Sequence, residues 1–476
     1  MDGLVYAYYV PKSSEQQRFI QERRSELAEQ RKQVKEAKLS RDSTEYIERS
    51  VSDQKTKPGG ADEGHQHQRD DTATSSYGVM EAARTRTSSS SGASSTHSLH
   101  AYQALLSNPY ELRHGRRYLR EVPYPLPCDL PEIQRQNLRT LLFCKVFGRA
   151  VCSPKVAKEA PRKVLEVGCG SGYWSASCHE YFCSLGHKKA SFTGLDLAPL
   201  APDWSKQGGL DWKFVQHDIR RIPLPFDDGE FDLVMLKDLS LVLTLGGPFQ
   251  TFLDEVLRIL GEGGTLEIWD SDHMLRSLLP HPPPPPSKRP LDQDIADQTA
   301  TFLIAPGTPF APAQSKYLQQ ANTWMQEALD RRQLPPSPCA RIAQVLYQEP
   351  ELLENVGVRR VAVPLGELRW ERESGTEPLL SPKRKGKAGE LTTEQYELRQ
   401  TALMTVLQKI ESLEPLLKDV SGKNSEEWSH WWASMMSALL DPSRGAITGE
   451  CLEMGAWWAT KLGGGIEAVA TARCQD

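Results

Sequence analysis

Between residues 163 and 269 short apolar runs alternate with amphipathic stretches. Lys163–Val167 (KVLEV), Ser191–Leu195 (SFTGL), Asp211–Gln216 (DWKFVQ), Phe231–Leu236 (FDLVML) and Gly264–Trp269 (GTLEIW) read as five strands. Thr251–Leu260 sets Phe252, Leu253, Val256, Leu257 and Leu260 on one helical face. Strands that alternate with helices require a parallel sheet covered on both faces. The predicted fold class is therefore α/β: a doubly wound, Rossmann-like, mostly parallel sheet of about seven strands. Further on, VGVRRVAVPLGELRW at 356–370 alternates as an added edge strand. Thr392 and Gln395 form a capping box, after which Ala402, Leu403, Val406, Ile410, Leu413 and Leu417 make a core-facing stripe. Trp428, Trp431, Trp432, Trp457 and Trp458 complete a carboxyl-terminal part read as helical and Trp-rich. Those rings bury helices against the sheet or, as the alternative, form an aromatic cage for a cation.

Composition divides the chain. Residues 1–100 read as a disordered arm, charged at first and rich in Ser and Thr over Thr85–Ser98, with too little to bury against chain entropy. Ile20, Leu27 and Val34 fall seven apart, but their heptad partners are polar, which suits a lone solvated helix. The core is read as 101–275. A Pro-rich insert around HPPPPPSKRP takes 276–310, and the end of the core with a helix and edge strand takes 311–370. A basic loop spans 371–390 and the helical cap 391–476.

Across 476 residues the net charge is −5, which excludes a globally basic nucleic-acid binder. Lys237 and Asp238 break the best apolar run, so no spanning helix is expected. The opening MDGLVYAYYVPKSSEQQ lacks an export pattern. A cytoplasmic or nuclear location with nine reduced cysteines follows as the expectation, and the absence of any CxxC pair argues against zinc. Lys383, Arg384, Lys385 and Lys387 read either as a nuclear-import signal or as a solvated loop.

The chemistry concentrates at Glu166-Val-Gly168-Cys-Gly170-Ser-Gly172-Tyr-Trp174, between a strand and a helix. Glycines let a ligand approach the backbone, and the helix N-terminus offers free N–H groups. A dinucleotide site wants GxGxxG, but the third glycine position here is Tyr173. The spacing GxGxG, with Glu166 two residues before it, suits S-adenosylmethionine (SAM), whose ammonium would face Glu166 and whose carboxylate would face the glycine amides. Asp196 ends the second strand, placed for both ribose hydroxyls. Asp218 ends the third, placed for the adenine amino group, with Ile219 against the ring. Lys237 and Asp238 close the fourth, where methyl group and acceptor meet. The cofactor-binding set is Glu166, Gly168, Cys169, Gly170, Gly172, Asp196, Leu197, Asp218, Ile219 and Lys237.

These residues resemble the class I SAM-dependent methyltransferases and, more narrowly, the fungal LaeA-like methyltransferases. The narrower likeness is carried by YPLPCD at 124–129 with PEIQRQNL after it, LAPLAPDW at 197–204 and FDDGEFDLVMLKDLS at 226–240. It covers roughly residues 108–275. Cys128 departs from the family's usual Asn, and EVGCGSG from its usual glycine loop. The resemblance implies methyl transfer from SAM to a small molecule or a protein side chain. Its alternative is a SAM-binding regulator or scaffold of secondary metabolism or development that works through protein partners held by the arms.

Displacement at a sulfonium needs mainly alignment and exclusion of water, and an acceptor O–H or N–H needs a base as well. Candidates near the mouth are Asp238, Lys237, His217 and, from the entry segment, His114 and Tyr118. The fourth strand runs into LKDLS, not into the Pro-Pro signature that grips a planar amino group, so direct DNA binding is not expected. The locally basic NPYELRHGRRYLRE at 108–121 reads as a surface helix with Tyr110 and Tyr118 packed beneath it or, as the alternative, as a segment that folds over the cofactor or binds an anionic group.

Overall fold

The five apolar runs become strands: β1 (Lys163–Val167), β2 (Ser191–Asp196), β3 (Asp211–Gln216), β4 (Phe231–Lys237) and β5 (Leu260–Ser271). The structure is a computed structural model that describes residues 93–244, 247–281, 292–374, 391–441 and 447–463. Within it β1 pairs in parallel with β2 and β4, β2 with β3, and β4 with β5. β6 (Leu353–Pro364) and β7 (Glu450–Lys461) complete the main sheet in the order 3-2-1-4-5-7-6. β7 runs antiparallel to both β5 and β6, so six strands are parallel and one is reversed. Short strands at Arg276–Leu278, Phe302–Leu303 and Phe310–Pro312 bring the sheet to ten.

Both faces are covered. Leu233 and Met235 of β4 enter one apolar cluster, while Val234 and Leu236 enter the other. Helices α1 (Leu130–Phe147) and α2 (Tyr173–Ser184) pack on the first face through Phe143, Val146, Phe147, Trp174 and Phe182. Helix α3 (Gly247–Ile259) packs on the second through Phe249, Phe252, Leu253 and Val256. This is the doubly wound α/β architecture the periodicity requires. Helices α4 (Lys316–Asp330), α5 (Thr393–Ser412) and α6 (Ser425–Leu439) enlarge the first cluster. The capping box of α5 is formed as read, and Ala402, Leu403, Val406, Ile410, Leu413 and Leu417 are buried.

The structure corrects several sequence expectations. The carboxyl-terminal part is not wholly helical: Trp457 and Trp458 lie on β7, whose backbone is hydrogen-bonded on both sides within the sheet. Trp428 and Trp431 stack with Trp324 at centroid distances of 4.7–5.9 Å, which is packing between α4 and α6. The 108–121 stretch is a hairpin, Tyr110–Arg113 against Arg116–Leu119, not a helix. His114 and Gly115 both take positive φ (51° and 74°), as a two-residue primed turn demands. Arg113 lies over the Tyr118 ring and Arg117 over Tyr110, so the four residues form stacked cation–aromatic pairs. The Ser-rich end of the arm is also not structureless, since a helix spans Ala93–Ser107. The Pro-rich insert contains a helix at Gln293–Thr299, while its polyproline core at 282–291 lies outside the described residues, as do 1–92 and the basic cluster Lys383–Lys387. Among the described residues no helix is long and apolar enough to cross a membrane.

Helix α1 is anchored to β5 by an aromatic group. Trp269, fully buried, lies 5.3 Å from Phe143 and 5.4 Å from Phe147. Trp269→Ala should cost about 3–5 kcal/mol of unfolding free energy, read from the shift in urea midpoint.

Candidate functional site

The strand order reverses at β1, between β2 and β4, and open α/β sheets bind ligands at that point beyond the strand carboxyl ends. A cleft lies there. Its floor is built from Gly168, Gly170, Asp196, Ile219 and Lys237, and its other wall from α1 and the segment before it.

Local sequence explains how the cleft is framed. Asp129 caps α1 through the Glu132 amide and is gripped by two 2.7 Å hydrogen bonds from Arg116 of the hairpin. Ser171 donates to Asn137 of α1 at 2.6 Å, which ties the glycine turn to that helix. Trp204 donates to the Ser171 carbonyl at 2.9 Å. Gly172 has φ 69°, and a Cβ there would come within 2.8 Å of the Trp204 indole nitrogen. Glycine at 172 is therefore required by both backbone and packing. This gives the Trp of LAPLAPDW a physical task, clamping the glycine turn from above.

Of the residues singled out in the sequence, Gly168, Gly170, Asp196, Leu197, Asp218, Ile219, Lys237, Asp238 and His217 reach the cleft wall. Asp196 accepts from the Gly170 amide and the Ala198 amide, both at 2.9 Å. Burial raises its pKa despite those bonds. Asp218 is held by Arg220, whose guanidinium lies 2.7–2.9 Å away; burial raises its pKa, but Arg220 outweighs burial and holds the carboxyl low. Lys237 is nearly buried and sits 3.5 Å from Asp238.

Glu166, Cys169, Gly172, His114 and Tyr118 are not part of the wall. Glu166 lies behind the glycine turn, where its Oε2 accepts from the Ser175 amide and hydroxyl at the start of α2. Its Oε1 is buried and without a hydrogen-bond partner, and burial pushes its pKa to about 7. Cys169 is buried against Gly194 with its thiol pKa raised by burial. His114 is at the exposed hairpin turn, and Tyr118 is buried beneath Arg113. The residues present fit SAM: acidic Asp196 and Asp218 flank the apolar pair Leu197 and Ile219, the glycine turn closes one end, and an orphaned carboxylate oxygen lies behind it.

Asp238 differs from expectation. It has φ 57° and is gripped by Arg139 of α1, with Nε 3.0 and 3.1 Å from its two oxygens and Nη2 2.6 Å from Oδ1. Burial raises its pKa, but Arg139 and Lys237 together hold the carboxyl far below the usual carboxylate range. The Asp238 carboxylate is thus engaged by Arg139 and Lys237 and held in its ionised form. Arg139 also donates to Ser271 at 2.6 Å.

Residues not singled out from the sequence add to the site, although Arg135 lies within PEIQRQNL and Ser240 within FDDGEFDLVMLKDLS. Arg135, Ser240, Asp270, His273 and Lys409 line the same cleft. Arg135 pairs with buried Glu132 at 2.6 Å. These groups come from α1, the ends of β4 and β5, and α5, hundreds of residues apart in some cases; no local spacing announces them. Elsewhere Asp272, Cys339 and Glu453 lie together, but the Cys339 amide donates to Asp272, while Arg276 and Arg360 occupy Glu453. That cluster is compensated internally.

Breaking the pair between α1 and the end of β4 should be costly. Arg139→Met is expected to lose about 1–3 kcal/mol of stability by denaturant titration, because the partly exposed Asp238 carboxylate keeps only Lys237, 3.5 Å away, as a charged partner. Adding Asp238→Asn should recover part of the loss.

Comparison with known proteins finds similarity over part of the chain. Residues 164–264 match the protein family described as "Methyltransferase domain". A malonyl-[acyl-carrier protein] O-methyltransferase of Legionella pneumophila is 39% identical over 112 residues, 23% of this chain and 36% of that protein, so the match spans about a third of the relative. A SAM-dependent methyltransferase from Aquifex aeolicus aligns at 18% identity over 37% of this chain and 91% of that one, with a TM-score of 0.24. The PH0226 protein of Pyrococcus horikoshii aligns at 24% identity over 33% and 65%, with a TM-score of 0.22. The segment that supplies the glycine turn and the floor of the cleft is the one similar to methyltransferase domains.

Proposed function

We propose that the chain transfers a methyl group from SAM to an acceptor held beneath α1 and α5. The observation that carries this reading is one cleft bordered, strand by strand, by Gly168 and Gly170 after β1, Asp196 after β2, Asp218 and Ile219 after β3, and Lys237 at the end of β4. In this reading Asp196 accepts from the ribose hydroxyls, Leu197 and Ile219 hold the adenine, and the glycine turn faces the amino-acid end. SAM, when bound, supplies a methyl group already activated on a sulfonium. The chain's own contribution is alignment and exclusion of water, for which the apolar Leu119, Leu126, Leu241 and Val242 line the opposite wall.

The O-methyltransferase name of the Legionella relative and the LaeA-like motifs both support this class without specifying the acceptor, which we take to be a small molecule or a protein side chain. The arm up to residue 92, behind a regulatory role through partners, and the Lys383–Lys387 cluster, behind nuclear import, lie outside the described residues, and among the described residues no geometry favours that reading over catalysis.

Asp196→Ala should weaken SAM binding by at least about tenfold in calorimetry, since charge-assisted hydrogen bonds to the ribose are lost. A melting curve of the free variant separates this from unfolding. Unchanged affinity would show that the nucleoside does not sit at Asp196.

A further inference from the structure

Ser240, Asp270, His273 and Lys409 form a hydrogen-bonded chain in the cleft wall that cofactor binding does not use. Ser240 donates from its backbone N–H at 3.1 Å and its hydroxyl at 2.9 Å to Asp270. Its hydroxyl oxygen lies 3.1 Å from His273 Nε2. His273 Nδ1 in turn meets Lys409 Nζ. Burial pushes the Asp270 pKa up to about 6, so near neutral pH its ionised form sets the donor order. A carboxylate only accepts, so the serine O–H points to Asp270 and its oxygen must accept from His273 Nε2–H. His273 is then a neutral imidazole whose Nδ1 lone pair receives an N–H from Lys409. A neutral lysine amine held this way still has a lone pair of its own.

The surroundings lower the pKa of Lys409, so that a neutral amine is populated near pH 7. Arg135 and Arg139 of α1 face it, as do Asp238 after β4 and Asp270 at the end of β5. Arg139 and Asp238 satisfy each other, and Arg135 is paired with Glu132. Among the described residues no carboxylate forms a salt bridge with Lys409. Burial, and then the two guanidinium groups, push its pKa to about 7. Burial and the neighbouring cations also hold His273 well below its ordinary value, so the imidazole stays neutral.

We propose that Lys409 is the general base of the methyl transfer, with His273, Ser240 and Asp270 as positioning residues that orient its amine. This rests on the methyltransferase reading above. As the acceptor's lone pair bonds to the methyl carbon, the carbon–sulfur bond breaks and its electron pair stays on sulfur, leaving S-adenosylhomocysteine. The acceptor's O–H or N–H proton passes to Lys409 Nζ, which becomes an ammonium and later releases it to solvent. The acceptor class follows: a hydroxyl or amine still protonated at neutral pH, on a molecule apolar enough for Leu119, Leu126 and Leu241, and not a carboxylate, which needs no base.

The test uses the full chain. Trace acetylation with acetic anhydride across pH 5–10, read by peptide mass spectrometry, should give Lys409 a labelling midpoint near pH 7, against about 10.4 for ordinary lysines. His273→Phe should move that midpoint. Lys409→Met should bind S-adenosylhomocysteine within about twofold of wild type, yet transfer tritiated methyl from SAM to acceptors in a cell extract at least about a hundredfold more slowly. The wild-type rate should rise with pH through 7, and that limb should vanish in the variant. A Lys409 midpoint near 10, or a variant that transfers at the wild-type rate, would overturn the role of Lys409 alone. A wild-type chain that neither binds S-adenosylhomocysteine nor labels any acceptor would overturn the methyltransferase reading itself.

Discussion

The ion pair between Arg139 and Asp238 is the constraint on which the rest of the site depends. Asp238 turns the chain out of β4 through a left-handed backbone conformation, and its carboxylate would be intolerable in that position without a partner. Arg139 supplies one with a fork of hydrogen bonds and reaches on to Ser271 at the end of β5. A single guanidinium therefore ties the lid helix to two neighbouring strands. With α1 fixed, Gln136 and Asn137 meet the glycine turn, and Arg135 faces the cleft. The same pair faces Lys409, whose pKa Arg139 and Arg135 lower and Asp238 raises.

Much of the fold was legible because β1 to β4 are short, apolar and ended by chemistry-bearing residues; Lys163–Val167 and Asp211–Gln216 begin and end where the pattern puts them. β7 was misread for a physical reason. In ECLEMGAWWATK the adjacent tryptophans resemble the aromatic helices before them, and strand formation depends on the slot between β5 and β6, a tertiary fact. The hairpin at 110–119 was misread because its arginines and tyrosines lack clear alternation, although His114-Gly115 is a legitimate turn signal.

The site was legible in halves. Asp196, Asp218 and Lys237 each stand at a strand end, where position along the sheet argues for a role. Glu166 fits that logic too, yet the chain uses it first to hold the start of α2. Lys409 and His273 are 136 residues apart and meet only when α5 packs over α1 and the end of β5. No spacing rule finds such a pair; only the folded chain does. The family match spans residues 164–264, and both α1 and α5 lie outside it.

A crystal structure of the chain with S-adenosylhomocysteine tests the central claim most directly. The account predicts ribose density on Asp196, adenine between Leu197 and Ile219, and the thioether sulfur turned toward Lys237 and the Ser240–Lys409 side of the cleft. A nucleoside bound elsewhere, or a cleft filled by the chain's own side chains at saturating ligand, would contradict it.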